Sequence, residues 1–147
     1  MNKLTFFVFS LLIFNKTYAQ SDQQQIENTI STFFDGIYKR DTVLISSVLH
    51  KNCSLNSVNI LAGKPAQHKS ETMSGFFKSI ASIPSNVILE ERLLVHKIQV
   101  DEALAIDWTP YEFYVNQKLS HKGTNVFTLV KTGDSWKIFS IIDTRKK

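Results

Sequence analysis

The chain has little from which a disulfide framework or a metal site could be built. Its 147 residues include one cysteine, Cys53, which cannot form an internal disulfide. The four histidines do not stand four residues apart on a helix and show no recognisable metal-ligand spacing. The five glycines form no phosphate-binding loop, and the chain has no serine nucleophile elbow. We therefore predict neither a metal nor another cofactor.

The chain also has only a small excess of charge of one sign. The formal net charge is +4, from 17 basic and 13 acidic residues. Three of the basic residues, Arg145, Lys146 and Lys147, end the chain, and we expect them to form a solvated tail. The body of the chain shows no cluster of Lys and Arg, which nucleic-acid binding needs to neutralise phosphates. Nucleic acid is therefore not a predicted partner.

Long apolar runs are confined to the first residues, MNKLTFFVFSLLIFNKTYAQ. Lys3 gives a basic start, an apolar run follows, and Thr17 and Ala19 place small residues where a signal peptidase reads. This pattern predicts a signal peptide over residues 1–19 and an exported protein, periplasmic or extracellular, with no membrane contact after cleavage. The alternative for the same run is a buried N-terminal helix. Residues 20–147 fit one domain.

The spacing of apolar residues changes along the chain. A helical period predicts three helices: one after a start at Ser21 and Asp22, a short one capped by Asp41, and one capped by Ser70. From Val87 onward the period is that of strands, over residues 87–100, 103–115, 118–131 and 135–144, with tight turns between them. A short strand is predicted near residues 53–61. This order predicts an α+β fold with three N-terminal helices packed on a curved antiparallel sheet.

This pattern resembles the cone-shaped, cystatin-like domains of the nuclear transport factor 2-like superfamily. Within that superfamily it is similar to the exported bacterial family described as putative lumazine-binding or SnoaL-like. The string that carries the resemblance is Trp108, Tyr111-Glu112-Phe113-Tyr114, Ser120-His121, Gly123, Asn125, Phe127, Trp136-Lys137-Ile138 and Asp143-Thr144-Arg145. The resemblance implies the fold and a ligand pocket, with no activity attached.

A two-residue turn at Asn116-Gln117 predicts which side chains share a face. It pairs Val115 with Lys118, and continued alternation sets Glu112 opposite His121 and Trp108 opposite Asn125. The predicted concave interior then holds Trp108, Glu112, Tyr114, His121 and Asn125, above the apolar pairs Ile106/Phe127 and Leu104/Leu129. A slip of one residue would instead turn Tyr111 and Phe113 inward.

The pair Glu112 and His121 is the predicted proton-transfer device, because a carboxylate beside an imidazole raises its pKa and fixes its tautomer. The alternative is an idle structural pair. Trp108, Tyr114 and Asn125 are predicted ligand contacts. His96 would join them beside Trp108 if the turn at Asp101-Glu102 has three residues, and would lie on the opposite face if it has two.

Three function classes remain open from the sequence. The first is an exported binding domain whose apolar cavity takes an aromatic or heteroaromatic small molecule. The second is an enzyme of the isomerase, cyclase or dehydratase kind that uses His121 and Glu112. The third is an interaction domain with a filled interior. The outer sheet face indicates a twofold homodimer, because it is predicted to carry large apolar side chains. They are Tyr111, Phe113, Val115, Val126 and Val130, joined by Phe139 and Ile141 if Gly133-Asp134 makes a two-residue turn.

Overall fold

Three helices precede most of the sheet. The computed structural model describes residues 14–147, with side chains from Asp22 onward. The helices span Phe14–Lys39 (α1), Thr42–Val48 (α2) and Met73–Ala81 (α3). Residues 1–13, most of the predicted signal peptide, lie outside the described residues, so cleavage and export stay predictions. Among the described residues, no helix is both long and apolar enough to cross a membrane.

Seven strands form one sheet. Their bounds are Leu49–Ile60 (β1), Gln67–Glu71 (β2), Leu89–Leu93 (β3), Lys97–Asp101 (β4), Leu104–Val115 (β5), Lys118–Thr132 (β6) and Ser135–Lys146 (β7). The order is β2-β1-β7-β6-β5-β3, and β4 pairs with the other half of β5. Each pairing is antiparallel except that of β1 with β7, which is parallel. The predicted fold class, three helices on a curved and mostly antiparallel sheet, is confirmed.

Two predicted elements differ from the structure in extent. The strand predicted over residues 87–100 is split into β3 and β4, because residues 94–96 leave the edge of β5. The strand β2, with the sequence QHKSE, was not predicted, since it has no apolar alternation to reveal it. Ser70 belongs to this strand, and the cap of α3 is Thr72, whose hydroxyl accepts from Gly75 N at 3.1 Å.

The start of α1 also differs from the prediction. The helix begins at Phe14, so Asp22 is not its cap. The Asp22 carboxylate instead accepts from Lys131 Nζ at 2.6 Å and from Trp136 Nε1 at 3.0 Å. These bonds fasten α1 to β6 and β7. They also lower the pKa of Asp22, the bond from Lys131 contributing most.

The core lies between α1 and the concave face of the sheet. Ile26, Ile30 and Phe33 on α1 are buried against Phe127 and Leu129 on β6. Asp41 caps α2 as predicted, since its carboxylate accepts from Val43 N and Leu44 N. The cone is therefore filled with apolar side chains at the end of the sheet where β6 turns into β7.

One extra residue in β6 makes the observed pairing of β5 with β6 differ from the predicted one. The pair Val115 and Lys118 is as predicted, but Ser120 is a bulge, so Phe113 pairs with His121 and Glu112 with Lys122. The predicted pairs Glu112/His121 and Trp108/Asn125 are therefore wrong. From the bulge onward, the two strands are offset by one residue from a regular hairpin. Alternation then buries residues 105, 107, 109 and 111 of β5 and exposes residues 104, 106 and 108.

Candidate functional site

The concave face closes over a cavity of about 170 Å³ between α1, α3 and the sheet. Its apolar wall is made by Phe33, Phe34, Ile37, Leu55, Phe76, Phe113, Phe127 and Ile141. Its polar side chains are Asn56, Glu71, Glu91, Tyr111, His121, Asn125, Asp143 and Arg145. An apolar cavity with a few converging polar groups is the usual form of a small-molecule site.

Glu91 and Asn125 form the central polar pair of this cavity. Glu91 lies on the edge strand β3, and its Oε1 accepts from Asn125 Nδ2 at 2.6 Å. The main chain of Glu91 is held by one side chain of α1: the Tyr38 hydroxyl accepts from Glu91 N and donates to Glu91 O, both at 2.8 Å. Burial raises the pKa of Tyr38 to about 12, so this hydroxyl keeps its proton at neutral pH. The carboxyl therefore has a fixed place in the cavity wall.

The surroundings of Glu91 favour its protonated form. Burial raises its pKa to about 7, and the nearby Asp143 adds to the rise, while the bond from Asn125 and the charge of Arg145 oppose it. A carboxyl with this pKa exchanges a proton near neutral pH, so it can act as either acid or base. It can also present either a donor or an acceptor to a ligand.

A second polar group surrounds Asp143 on β7. Its carboxylate accepts from Ser57 Oγ at 2.6 Å, from Arg145 Nε at 2.7 Å and from the Tyr111 hydroxyl at 3.1 Å. Burial, followed by the charge of Asp143, raises the pKa of Tyr111. Arg145 was predicted to belong to a solvated tail, and that prediction is wrong: it lies in β7, lines the cavity and pairs with Asp143.

His121 lines the cavity, as the sequence predicted, but without a carboxylate partner on the facing strand. Its ring lies 5.0 Å from that of Phe113 and 5.8 Å from that of Tyr111, centroid to centroid. Burial lowers its pKa, and the charge of Arg145 lowers it further. Glu112 lies on the outer face of β5, where it accepts from the Tyr114 hydroxyl at 2.7 Å. Glu112 and His121 therefore do not form the predicted proton-transfer pair.

The remaining predicted site residues are divided between two faces. Asn125 is buried in the cavity, as predicted, whereas Trp108 and Tyr114 lie outside it. Trp108 is 40% exposed on the outer face beneath Lys97, whose Nζ lies 4.8 Å from the ring centre. Tyr114 lies beneath Arg92, whose Cζ is 4.2 Å from the centre of the tyrosine ring. The turn after Asp101 has two residues, and His96 lies on the face opposite Trp108, the second of its two predicted positions.

Several cavity residues were not predicted as site residues. Glu91 stands in the run LEERL, where an acidic residue ordinarily indicates a solvated position. Tyr111 and Phe113 were predicted inward only under the one-residue slip. In the described part of the chain, no group of three or more His, Cys, Asp or Glu side chains is arranged to hold a metal ion.

Solved structures with this architecture are similar to the chain in fold. A nuclear transport factor 2-like protein from Cytophaga hutchinsonii has a TM-score of 0.67 at 12% identity, covering 84% of this chain and 98% of that one. A dehydratase assigned to the nuclear transport factor 2-like family, described as putative, from Streptomyces avermitilis has a TM-score of 0.63 at 15% identity, with 88% and 99% covered. A cystatin-like protein from Novosphingobium aromaticivorans has a TM-score of 0.68 at 11% identity, with 89% and 86% covered.

The family is shown by the sequence itself. Residues 21–141 match the model of the family described as putative lumazine-binding. The chain belongs to this family and has the nuclear transport factor 2-like fold, as its residues predicted. Among curated proteins, none matches the chain. Family and neighbours together support a ligand-binding or enzyme-like domain.

Proposed function

We propose that the protein is an exported domain that binds a neutral heteroaromatic small molecule in the cavity beside Glu91 and Asn125. The observation that carries the proposal is this hydrogen-bonded pair within a wall of aromatic side chains. Phe33, Phe113 and Phe127 offer flat apolar contact to a planar ring. Glu91 and Asn125 offer a donor and acceptor edge that matches the alternating N–H and C=O groups of a cyclic imide.

The charges in the cavity favour a neutral ligand over an anion. Glu71, Glu91 and Asp143 contribute three carboxyl groups, and the guanidinium of Arg145 already pairs with Asp143. A ligand carboxylate or phosphate would therefore meet acidic groups without a free cation to compensate. Lumazine is a neutral bicyclic imide, so it meets the requirement for a neutral ligand and the requirement for an imide edge. It also agrees with the description of the family.

The proposal is tested by calorimetric titration of lumazine into three forms of the protein. Wild type is expected to bind with saturation, and Asn125→Leu to bind at least tenfold more weakly, a loss of about 1.4 kcal/mol. The matched control is Thr128→Leu, on the same strand but on the outer face, and it should bind within twofold of wild type. Absence of saturable binding to wild type, or equal weakening by both variants, would contradict the proposal.

The second candidate is an isomerase-type enzyme, and Glu91 rather than Glu112 favours it. A carboxyl that exchanges a proton near neutral pH could remove a proton from the carbon beside a ligand carbonyl. The probe is 2-tetralone in deuterated buffer, whose α-hydrogen exchange is followed by proton magnetic resonance. Exchange should be accelerated by wild type and by the control Glu112→Gln, and should fall to the buffer rate with Glu91→Gln. Equal rates for all three proteins would exclude this activity.

The filled interaction domain is the least supported of the three predicted functions, because the cavity is present. Export is tested by the N-terminus of the secreted protein, which should begin at Gln20 after cleavage.

We also propose a homodimer, through an outer patch that differs from the predicted one. Tyr111, Phe113 and Ile141 were expected on this face, but they lie inside, because β6 and β7 are both offset by bulges. The outer patch consists of Leu104, Ile106, Trp108, Phe139 and Ile142, each 38–48% exposed. Acidic Asp101 and Glu102 lie at one end of this face, and Lys122 and Lys146 lie at the other beside Glu112. An antiparallel twofold contact would bring the opposite charges together.

The dimer is tested by sedimentation velocity. Trp108→Glu should give a monomer, whereas Val43→Glu, at a position 78% exposed on α2, should leave the dimer intact. Lys122→Glu should weaken the dimer, and adding Asp101→Lys should restore it. Wild type that is monomeric at high micromolar concentration would contradict the proposal.

A further inference from the structure

A second cleft, of about 230 Å³, lies between α1 and the interrupted edge of the sheet. It is lined by Glu27, Ser31, Phe34, Asp35, Tyr38, Glu91, Leu93 and His96. His96 enters this cleft because residues 94–96 bridge β3 and β4, and Leu94 N keeps only a single bond to Pro110 O at 2.9 Å. Phe34 and Glu91 each line the cleft on one side and the main cavity on the other, so these two residues separate the cleft from the cavity.

His96 is held in this cleft by a carboxylate that has no contact with solvent. Asp107 is fully buried, its Oδ2 lies 2.5 Å from His96 Nδ1, and its Oδ1 accepts from Lys97 N at 3.0 Å. With Asp107 as the acceptor, the hydrogen in this contact belongs to Nδ1. In the neutral imidazole, Nε2 then keeps its lone pair. The His96 side chain is 27% exposed, which leaves its outer edge at the cleft.

A carboxylate on Nδ1 is the arrangement that prepares a histidine to act through Nε2 as a nucleophile or as a general base. A carboxylate on Nδ1 fixes the tautomer and the ring orientation, and it stabilises the positive charge that develops when Nε2 reacts. The other two described histidines outside the main cavity have no such partner: His68 is exposed in β2, and His50 Nδ1 accepts from Asn52 N. The carboxylate contact is thus specific to His96.

The lining of the cleft indicates the kind of compound it could accept. Glu27, Asp35 and Glu91 are acidic, and no Lys or Arg side chain is among the residues that line the space. An anion would be repelled, whereas a small neutral carbonyl compound would meet Phe34 and Leu93 as apolar contacts and the hydroxyl of Ser31 as a donor.

We propose that this cleft is a second reactive site, in which His96 held by Asp107 attacks small neutral carboxylic esters. His96 Nε2 forms a bond to the carbonyl carbon, and the bond from that carbon to the alcohol oxygen breaks. The product is an acyl-imidazolium whose Nδ1–H stays hydrogen-bonded to Asp107. The released alkoxide takes a proton from water and leaves a hydroxide, which attacks the acyl carbon. The bond from that carbon to Nε2 then breaks, which yields the carboxylic acid and restores the neutral imidazole.

The test uses p-nitrophenyl acetate and follows release of p-nitrophenolate by absorbance. Wild type should react faster than an equal concentration of free imidazole, and His96→Gln should lose at least tenfold of the rate. Asp107→Asn should lose a similar factor and change the pH profile of the rate, since the wrong tautomer is then favoured. His68→Gln, the matched control, should retain the wild-type rate.

A direct readout covers the case in which Asp107→Asn does not fold. Brief reaction of wild type with the ester, acid quenching and mass spectrometry of peptides should place the acetyl group on His96. Acetylation of His50 or His68 instead, a His96→Gln variant with the wild-type rate, or a wild type no faster than imidazole would overturn the proposal. None of these readouts depends on lumazine binding, so failure here is separate from failure of the main cavity.

Discussion

The two faces of the β5–β6 hairpin share several classes of residue in the sequence but have different chemistry in the structure. The inner face carries Asp107, Tyr111, His121 and Asn125 among apolar residues and lines the main cavity. The outer face carries Ile106, Trp108 and Glu112, which are partly exposed. Both faces contain aromatic, acidic and apolar residues, so composition alone cannot tell which one holds a site. The difference follows from the pairing of the two strands, in which Phe113 lies opposite His121 and Glu112 opposite Lys122.

The largest expected difference between the faces is in stability. Phe127→Ala removes a fully buried ring that contacts Phe33 and Phe34, and it should reduce the free energy of unfolding by about 3–5 kcal/mol. Trp108→Ala, on the outer face, should cost the monomer less than about 1 kcal/mol. Urea unfolding at a concentration where the protein is monomeric measures both. Equal losses would mean that the assignment of the two faces is wrong.

The next difference concerns pH. Because burial raises the pKa of Glu91 from 4.5 to about 7, the folded protein binds this proton more tightly than the unfolded chain does. Its contribution to stability is complete below pH 4.5 and is lost as the pH rises through about 7, a change on the order of 3 kcal/mol. Glu91→Gln should therefore stabilise the protein at pH 8 relative to wild type, and much less at pH 5.

Urea unfolding of both proteins at the two pH values measures this effect, with Glu112→Gln on the outer face as the control. If Glu91→Gln shows the same pH dependence as wild type, the carboxyl does not keep its proton in the cavity.

A smaller difference between the two faces is expected in their effect on the pKa of His121. The charge of Arg145, after burial, lowers the pKa of His121, so Arg145→Gln should raise it. Glu112→Gln should leave it unchanged, because Glu112 lies on the other side of β5. Magnetic resonance titration of the imidazole carbons distinguishes the two. If the pKa of His121 falls with Glu112→Gln, Glu112 and His121 do interact, as the sequence predicted.

The smallest effect is expected from deletion of Ser120. The pairs on either side of the bulge, Tyr114/Leu119 and Phe113/His121, remain in register when the extra residue is removed. The deletion should therefore change the free energy of unfolding by no more than about 1 kcal/mol. The rings of Phe113 and His121 should remain in contact, which a nuclear Overhauser effect detects. Loss of that contact would show that the bulge itself holds His121 in the cavity.

The sequence was sufficient for the elements that local patterns define. Strand periodicity and the turns at Asn116-Gln117 and Gly133-Asp134 predict β5, β6 and β7 within one or two residues of their bounds. The presence of His121 and Asn125 in the cavity was also predicted, because β6 is inward from His121 onward.

The partners of those residues could not be predicted, because they depend on contacts that are distant in sequence. A bulge shifts the inward and outward alternation of its strand by one residue, and the sequence around Ser120 and Phe139 has no turn or glycine signal that marks where the shift occurs. Glu91 is inside because Tyr38 of α1 holds the main chain of β3, a contact across 53 residues. Alternation along β5 turns Asp107 inward, and its partner there is His96, at the break in the edge strand.

The central claim is that the inner face, and not the outer one, receives the ligand. It is tested most directly by titrating lumazine into uniformly ¹⁵N-labelled protein and following side-chain signals by magnetic resonance. The structure predicts that the Asn125 amide and the His121 ring shift with saturation, while the indole N–H groups of Trp108 and Trp136 stay in place. Shifts that cluster at Trp108 while Asn125 is unchanged would contradict it.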